Sequence, residues 1–259
     1  MVIREHTAPG FNRPAENFGN HVISQKTMNE FYTIIDIRHN VTLQHPVALL
    51  RSDFEFCFDA VCVQRDTAVV TAVFGPAEVK PQRILIDKAS VEALYRPKTG
   101  LPRVHDKMRE TLIRNTCSTA LLVTLHPRTS ISIIVQEMQD SGGLLACAVN
   151  AACLALINSG IAMKFLVAAV SCMIDHEDNI LIDPNSKQLK GSKASLTFVF
   201  DSIKKNIMAC HTTGRFTQLQ YEESLLKCRN GSDKIFSFYR EIVRKVHQEH
   251  DRMSPTCRT

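Results

Sequence analysis

The sequence has no tryptophan, no Cys-x-x-Cys pair and almost no net charge over most of its length. Each absence removes a class of protein. Nine cysteines are present (57, 62, 117, 147, 153, 172, 210, 228 and 257), but none is spaced from another or from histidine as metal ligands are. Neither a zinc module nor a disulfide framework is therefore expected. Most lie inside apolar runs, as Cys153 does between Ala152 and Leu154, and read as small buried hydrophobes in a reducing compartment. The N-terminus lacks a charged segment followed by an apolar one, so secretion is not expected. The longest apolar stretch, Leu144 to Ile157, is shorter than the roughly 20 residues that span a bilayer, and it contains Asn150. The expectation is a soluble intracellular protein without a membrane partner. No internal repeat or low-complexity tract is present.

What charge there is lies at one end. Residues 46–203 carry 16 Lys+Arg and 16 Asp+Glu, whereas residues 204–259 carry 11 and 6, which is the whole surplus of +5. Such a tail can face nucleic acid or simply solvate a helix, so charge alone assigns no function.

The apolar pattern gives an α+β domain. Residues 1–45 have no period and are read as an N-terminal extension, partly disordered, with residues 46–259 as a single domain. Phe54, Phe56 and Phe58 alternate with polar neighbours and predict a half-buried strand. Thr67 to Phe74 predicts a second strand stopped by Gly75-Pro76, and two β-rich pieces follow near 83–86 and 91–95. Residues 106–123 predict a helix, 131–138 a strand with Ile131, Ile133 and Val135 on one face, and 144–158 a helix buried on all sides. Strands are expected at 165–174, 179–182, 196–200 and 207–211, then two helices at 218–229 and 233–250. The fold class is a layered, mostly antiparallel sheet with a buried central helix and C-terminal helices.

Several segments then resemble the RNase PH family, in its exosome branch. They are Asp66-Thr67-Ala68-Val69-Val70 running to Lys80; Leu112-Ile113-Arg114-Asn115-Thr116-Cys117; Leu125-His126-Pro127-Arg128-Thr129-Ser130-Ile131; and Gln139-Asp140-Ser141-Gly142-Gly143-Leu144-Leu145-Ala146-Cys147, continuing through Asn150 to Asp183-Pro184. Residues 94–102 and 186–188 resemble one type of ring subunit in particular. The match runs in order from Leu49 to His250. It departs before Asp66, where the loop is long and Arg65 stands in place of the family's usual glycine.

The resemblance implies an RNase PH-like ring subunit of the eukaryotic RNA exosome, in the nucleus, nucleolus and cytoplasm. Its implied partners are other RNase PH-like ring subunits, cap subunits and single-stranded RNA, in a hetero-oligomer without a cofactor. It also implies what catalysis would need: a cationic, amide-rich cradle for phosphate, with acidic groups beside it. By this resemblance the cradle arginine's position on the first helix holds Asn115, and the family's Gly-Thr-Arg run reads Gly142-Gly143-Leu144. Leu189 and Ser195 stand where acids are expected. No catalytic or metal-binding residue is therefore assigned. Asp140, Asp175, Glu177, Asp178 and Asp183 remain as acids, with Asp183-Pro184 read as a turn and 175–178 as a hairpin tip. His126 and His176 are read as turn residues. Arg96, Lys98, Lys187, Lys190 and Lys193 are the candidate RNA contacts. Phe54, Phe56, Phe58, Val61, Val63 and the aromatic run 235–239 are candidate surfaces for partners, the run having core packing as its plainer explanation. The alternative function is a phosphorolytic or metal-dependent 3′-5′ exoribonuclease acting as a homodimer.

Overall fold

A computed structural model describes residues 47–54, 57–79 and 85–253. Residues 1–45, set apart above as an extension, lie outside the described residues. The architecture is built round one helix. Leu144–Asn158 (α2) has 13 of its 15 residues buried, because its sequence offers no polar face. A helix apolar all round is stable only with layers on several sides, and here two sheets supply them.

The first sheet has the order β1-β2-β3-β5-β4, formed by Val47–Phe54 (β1), Cys57–Gln64 (β2), Thr67–Glu78 (β3), Ser90–Arg96 (β4) and Thr129–Gln139 (β5). The second has the order β7-β6-β8-β9, formed by Val167–Ile174 (β6), Ile180–Ile182 (β7), Ala194–Asp201 (β8) and Ile207–Gly214 (β9). Helix α2 packs against β2 and β3 on one side and β6 on the other. Val104–Ala120 (α1) connects β4 to β5, which pair in parallel, and lies on β4. A short helix, Ser186–Lys190 (α3), follows β7, and Gln218–Met253 (α4) covers the outer side of β6. All eight residues of β6 are buried because a helix lies on each of its faces. This explains why it reads as an unbroken apolar run instead of an alternation.

Asn150 shows how the one asparagine buried within α2 is accommodated. Its amide donates to the Ala169 carbonyl at 3.0 Å and accepts from the Ala169 amide at 2.8 Å and the Tyr239 hydroxyl at 3.1 Å. It thus ties α2 to β6 and α4 at the centre of the core, where an unpaired amide would cost about 1–3 kcal/mol.

The expected α+β layering is present, with five departures in detail. The strands form two sheets, and one pairing is parallel. The strand expected over 54–58 is divided between two: Phe54 ends β1, Cys57 opens β2, and the two are paired, residues 55–56 lying outside the described residues. Gly75-Pro76 does not stop β3, which continues to Glu78 through a bulge between Phe74 and Ala77. Glycine is needed there, since its φ is 114° and a Cβ would lie 2.5 Å from the Ser130 carbonyl. The bulge absorbs the proline, which has no N–H to give the ladder. Leu85 and Ile86 are outside any strand, and residues 81–84 are outside the described residues. Finally, the two C-terminal helices are one helix of 36 residues. Ser224, Cys228, Ile235, Tyr239 and Ile242 keep a buried stripe in phase across Asn230-Gly231, so packing outweighs the roughly 1 kcal/mol that a mid-helix glycine costs.

The same stripe settles the aromatic run. Ile235, Phe236, Phe238 and Tyr239 are core residues and offer no partner surface. The side chains of Phe54, Phe56 and Phe58 lie outside the described residues.

Candidate functional site

The site begins at the N-terminus of α2. Two glycines precede it, and both are required by crowding. A Cβ on Gly142 would lie 2.3 Å from the Pro184 carbonyl, and one on Gly143 would lie 2.7 Å from Ser171 Oγ. Their φ values, 119° and 63°, are ones that side chains disfavour. Thr67 Oγ1 accepts from the Ser141 amide at 3.0 Å and donates to the Gly142 carbonyl at 2.6 Å. The Ser186 amide donates to the Ser141 carbonyl at 2.6 Å.

Asp183 belongs to this clamp. Its carboxylate is buried and accepts from Gln64 Nε2 at 2.9 Å and Arg65 Nε at 3.1 Å, while Arg65 Nη1 reaches Asn185 Oδ1 at 3.0 Å. Burial pushes the Asp183 carboxyl above the usual carboxylate range, with Arg65 and Gln64 opposing it. Arg65 has a left-handed backbone, at φ 53°, of the kind glycine adopts most freely. Asp183 is therefore more than the turn residue its proline neighbour suggested.

Beside the clamp is an open cleft of about 260 Å³. Its α2 wall is Gly143, Leu144 and Leu145. Its floor comes from the second sheet, whose register sets Ser171 beside Thr197 and Thr197 beside His211, with Ser195 beside Thr213 one step along. Leu189 closes one side, and α1 supplies His105, Met108 and Arg109. The cleft thus gathers the positions singled out in sequence at Gly143, Leu144, Leu189 and Ser195. Among the described residues Asp140 is the one carboxylate lining it, and its Oδ1 already accepts from the Gly142 amide at 3.0 Å.

The arginine expectation needs correcting. Asn115 is exposed on α1 and does not line the cleft, whereas Arg109 does. Asp106 Oδ1 accepts from Arg109 Nη1 at 3.1 Å, and the guanidinium carbon lies 5.7 Å from the Tyr95 ring centroid. Tyr95 is held in turn by its hydroxyl's 2.8 Å bond to Glu137 Oε2. Arg109, His105 and His211 are the basic groups that reading the sequence missed. The available signal was the i, i+4 spacing of His105 and Arg109, which puts both on one face of the first helical turns. Burial first, then Arg109 and His105, lowers the pKa of His211 below its ordinary 6.5.

None of the five candidate RNA contacts lines the cleft. Arg96 is exposed at the end of β4, and Lys98 in the loop after it. Helix α3 turns Leu189 inward and leaves Lys187 and Lys190 exposed, while Lys193 is paired with Asp178 at 2.6 Å. Residues 175–178 form a hairpin tip between β6 and β7, as expected. Among the described residues, no three histidine, cysteine or acidic side chains are grouped so as to hold a metal ion.

Most of the described chain matches known proteins. Residues 59–162 match the model of the 3′ exoribonuclease family, domain 1, and residues 166–227 match domain 2. An exosome complex exonuclease RRP46 homolog of Arabidopsis thaliana is 34% identical over 145 residues, which cover 56% of this chain and 61% of that protein. The chain thus aligns with under two thirds of that relative's length. The exosome complex component RRP46 of Saccharomyces cerevisiae is 29% identical, over 61% of this chain and 77% of that one. The crystal structure of rice (Oryza sativa) Rrp46 superposes with a TM-score of 0.74 at 28% identity, covering 80% of this chain and 98% of that one.

The clamp yields a prediction. Asp183→Ala leaves Gln64 and Arg65 without their buried acceptor and should destabilise the protein by about 2–4 kcal/mol in urea titration. Lys193→Ala, which breaks a pair that is largely exposed, should change stability by less than about 0.5 kcal/mol. Equal effects would show that the clamp contributes no more than a surface pair.

Proposed function

This chain belongs to the 3′ exoribonuclease (RNase PH) family, and we propose that within it the protein is a non-catalytic ring subunit of an RNA exosome. In that role it supports 3′-to-5′ processing and turnover of RNA in the nucleus, nucleolus and cytoplasm. The observation that carries the reading is the cleft itself. Its wall and floor present Leu189 and Ser195 where the family resemblance implies acids and Leu144 where it implies the cradle's arginine, and Asp140 is engaged by backbone. With its one carboxylate so engaged, and no three histidine, cysteine or acidic side chains grouped for a metal among the described residues, the cradle can hold a phosphate but offers no free acid beside it.

A ring subunit needs contact surface, and the first sheet has it. On the face turned away from α2, Val61 and Val70 are paired neighbours, as are Ala72 and Ile134, and Ile134 and Leu94. These side chains are only half-buried, and Phe74 and Met138 on the same face are 36% and 40% exposed. An apolar band of this kind, interrupted by Gln136 beside Val70 and Ser132 beside Phe74, supports docking of another RNase PH-like subunit, with cap subunits and RNA as further partners.

A second reading is favoured by one specific observation, the presence of Arg109 in the cleft. With the first amides of α2 it keeps part of a phosphate cradle, and the Arabidopsis relative is itself named an exonuclease. Arg96, Lys98, Lys187, Lys190 and Lys193 are proposed to contact RNA backbone outside the cleft.

Three measurements test these readings. Purified protein incubated with single-stranded RNA and inorganic phosphate, or with Mg²⁺ or Mn²⁺, should release neither nucleoside diphosphates nor monophosphates. Release that Arg109→Ala abolishes would establish the second reading instead. Expressed alone, the chain should aggregate or self-associate, and co-expression with an RNase PH-like exosome subunit should give a soluble heteromer that Val70→Glu weakens. A monodisperse monomer in light scattering, indifferent to such subunits, would remove the ring assignment. Replacing Lys98, Lys187 or Lys190 should each reduce the salt slope of RNA binding by about one, and Lys193 by less because Asp178 already pairs with it. Unchanged slopes would leave these side chains as solvated surface charge.

A further inference from the structure

The cleft holds two histidines for which neither reading above has a use. We propose that His105 and His211 are direct ligands of an oxyanion in the cleft, substituting for the hydroxyl and guanidinium that Gly143 and Leu144 do not provide, and that they make its occupancy depend on pH. The inference rests on the cleft's being a residual phosphate cradle, and adds to it which residues complete the cradle and when.

One buried atom points to a ligand. Ser171 is one of the residues lining the cleft, is only 4% exposed, and its Oγ has no hydrogen-bond partner among the described residues. An isolated hydroxyl in that position costs free energy unless something enters to meet it. It lies beneath the N-terminus of α2, whose first amides have no intrahelical partner and carry the positive end of the helix dipole. An oxyanion fits both demands.

The charges around His211 then decide when an anion is accepted. From α1 it faces His105 and Arg109, and from β6 and β8 only the neutral Ser171, Ser195 and Thr197. Its own strand supplies Thr213, whose Oγ1 is 3.5 Å from His211 Nε2. The turn before α2 contributes Asp140, and α3 contributes apolar Leu189. Arg109 is the only permanent cation among these, and Asp106 behind it and Asp140 opposite offset its charge. With both rings neutral the cleft therefore has little positive charge to offer a dianion. With both protonated it gains two charges and two more N–H donors.

Linkage gives the direction of the effect. Burial, Arg109 and His105 favour the neutral form of His211 in the empty cleft. An entering anion favours the charged form, so binding takes up a proton and strengthens as pH falls through the histidine range. Inorganic sulfate is the suitable probe, because it stays a dianion throughout that range while phosphate does not.

The experiment is calorimetric titration of the full chain with sulfate at about pH 5.5 and about pH 7.5, the histidine range, with chloride at matched ionic strength as control. Binding should be about tenfold tighter at the lower pH, as the uptake of a proton together with the anion allows. A His105→Gln/His211→Gln variant should lose that gain, and the His211 ring proton resonance should titrate at higher pH in sulfate than in chloride. Sulfate affinity equal at both pH values, or a pH dependence unchanged in the double variant, would overturn the proposal while leaving the cradle intact. No sulfate binding at either pH would overturn the cradle reading along with it.

Discussion

Everything in this fold depends on one helix having no polar face. Because α2 is apolar all round, it can be stable only between layers, and the two sheets, with α1 beside them, are the layers that meet the demand. The arrangement fixes where its N-terminus emerges. It emerges against the second sheet, with Gly142 and Gly143 passing so close to Pro184 and Ser171 that no side chain fits. The cleft is a product of this packing: a helix end whose amides face a hydroxyl-rich sheet face, walled by α1.

The architecture and the chemistry of the site have separable requirements. The packing uses buried alternation, two crowded glycines and the Thr67, Asp183 and Asn150 hydrogen bonds, all of which are present. The chemistry of phosphoryl transfer uses exposed acids and cations on the cleft surface, which the packing does not need. Leu189 and Leu144 illustrate the difference. Each occupies a cleft position without disturbing the layers beneath, so the cleft surface can change while the frame of the fold is kept. Arg109 is kept by another cause. It caps the buried Tyr95 ring and pairs with Asp106 at the start of α1, so it has structural partners as well as a view of the cleft.

Much of this was legible in the sequence because burial writes periodicity. The bounds of α2 came directly from its apolar composition, and β5 from Ile131, Ile133 and Val135. What was not legible depended on contacts distant in the chain. Gly75-Pro76 reads locally as a stop, and only the Ser130 carbonyl opposite it makes it a bulge. Asn230-Gly231 reads as a break, and only the second sheet under α4 holds the helix straight through it. At the site, the positions of Gly143, Leu189 and Ser195 could be aligned by motif order. Arg109 and His211 could not, because their meeting depends on α1 crossing above β9. The misassigned Asn115 lies on the same helix, six residues further on and turned outward.

Arg65 carries one more consequence. Hairpin ends are ordinarily where chains gain and lose residues most freely, because water can satisfy whatever the turn exposes. Here the turn between β2 and β3 holds a left-handed arginine whose side chain is bonded to Asp183 and Asn185, 118 and 120 residues away. The length of this hairpin is therefore set by a distant part of the molecule. An insertion of one residue would withdraw the guanidinium and leave a carboxylate stranded in the core. Relatives that share the pair should show a turn of constant length at this point, and those with glycine in place of the arginine should be free to vary it.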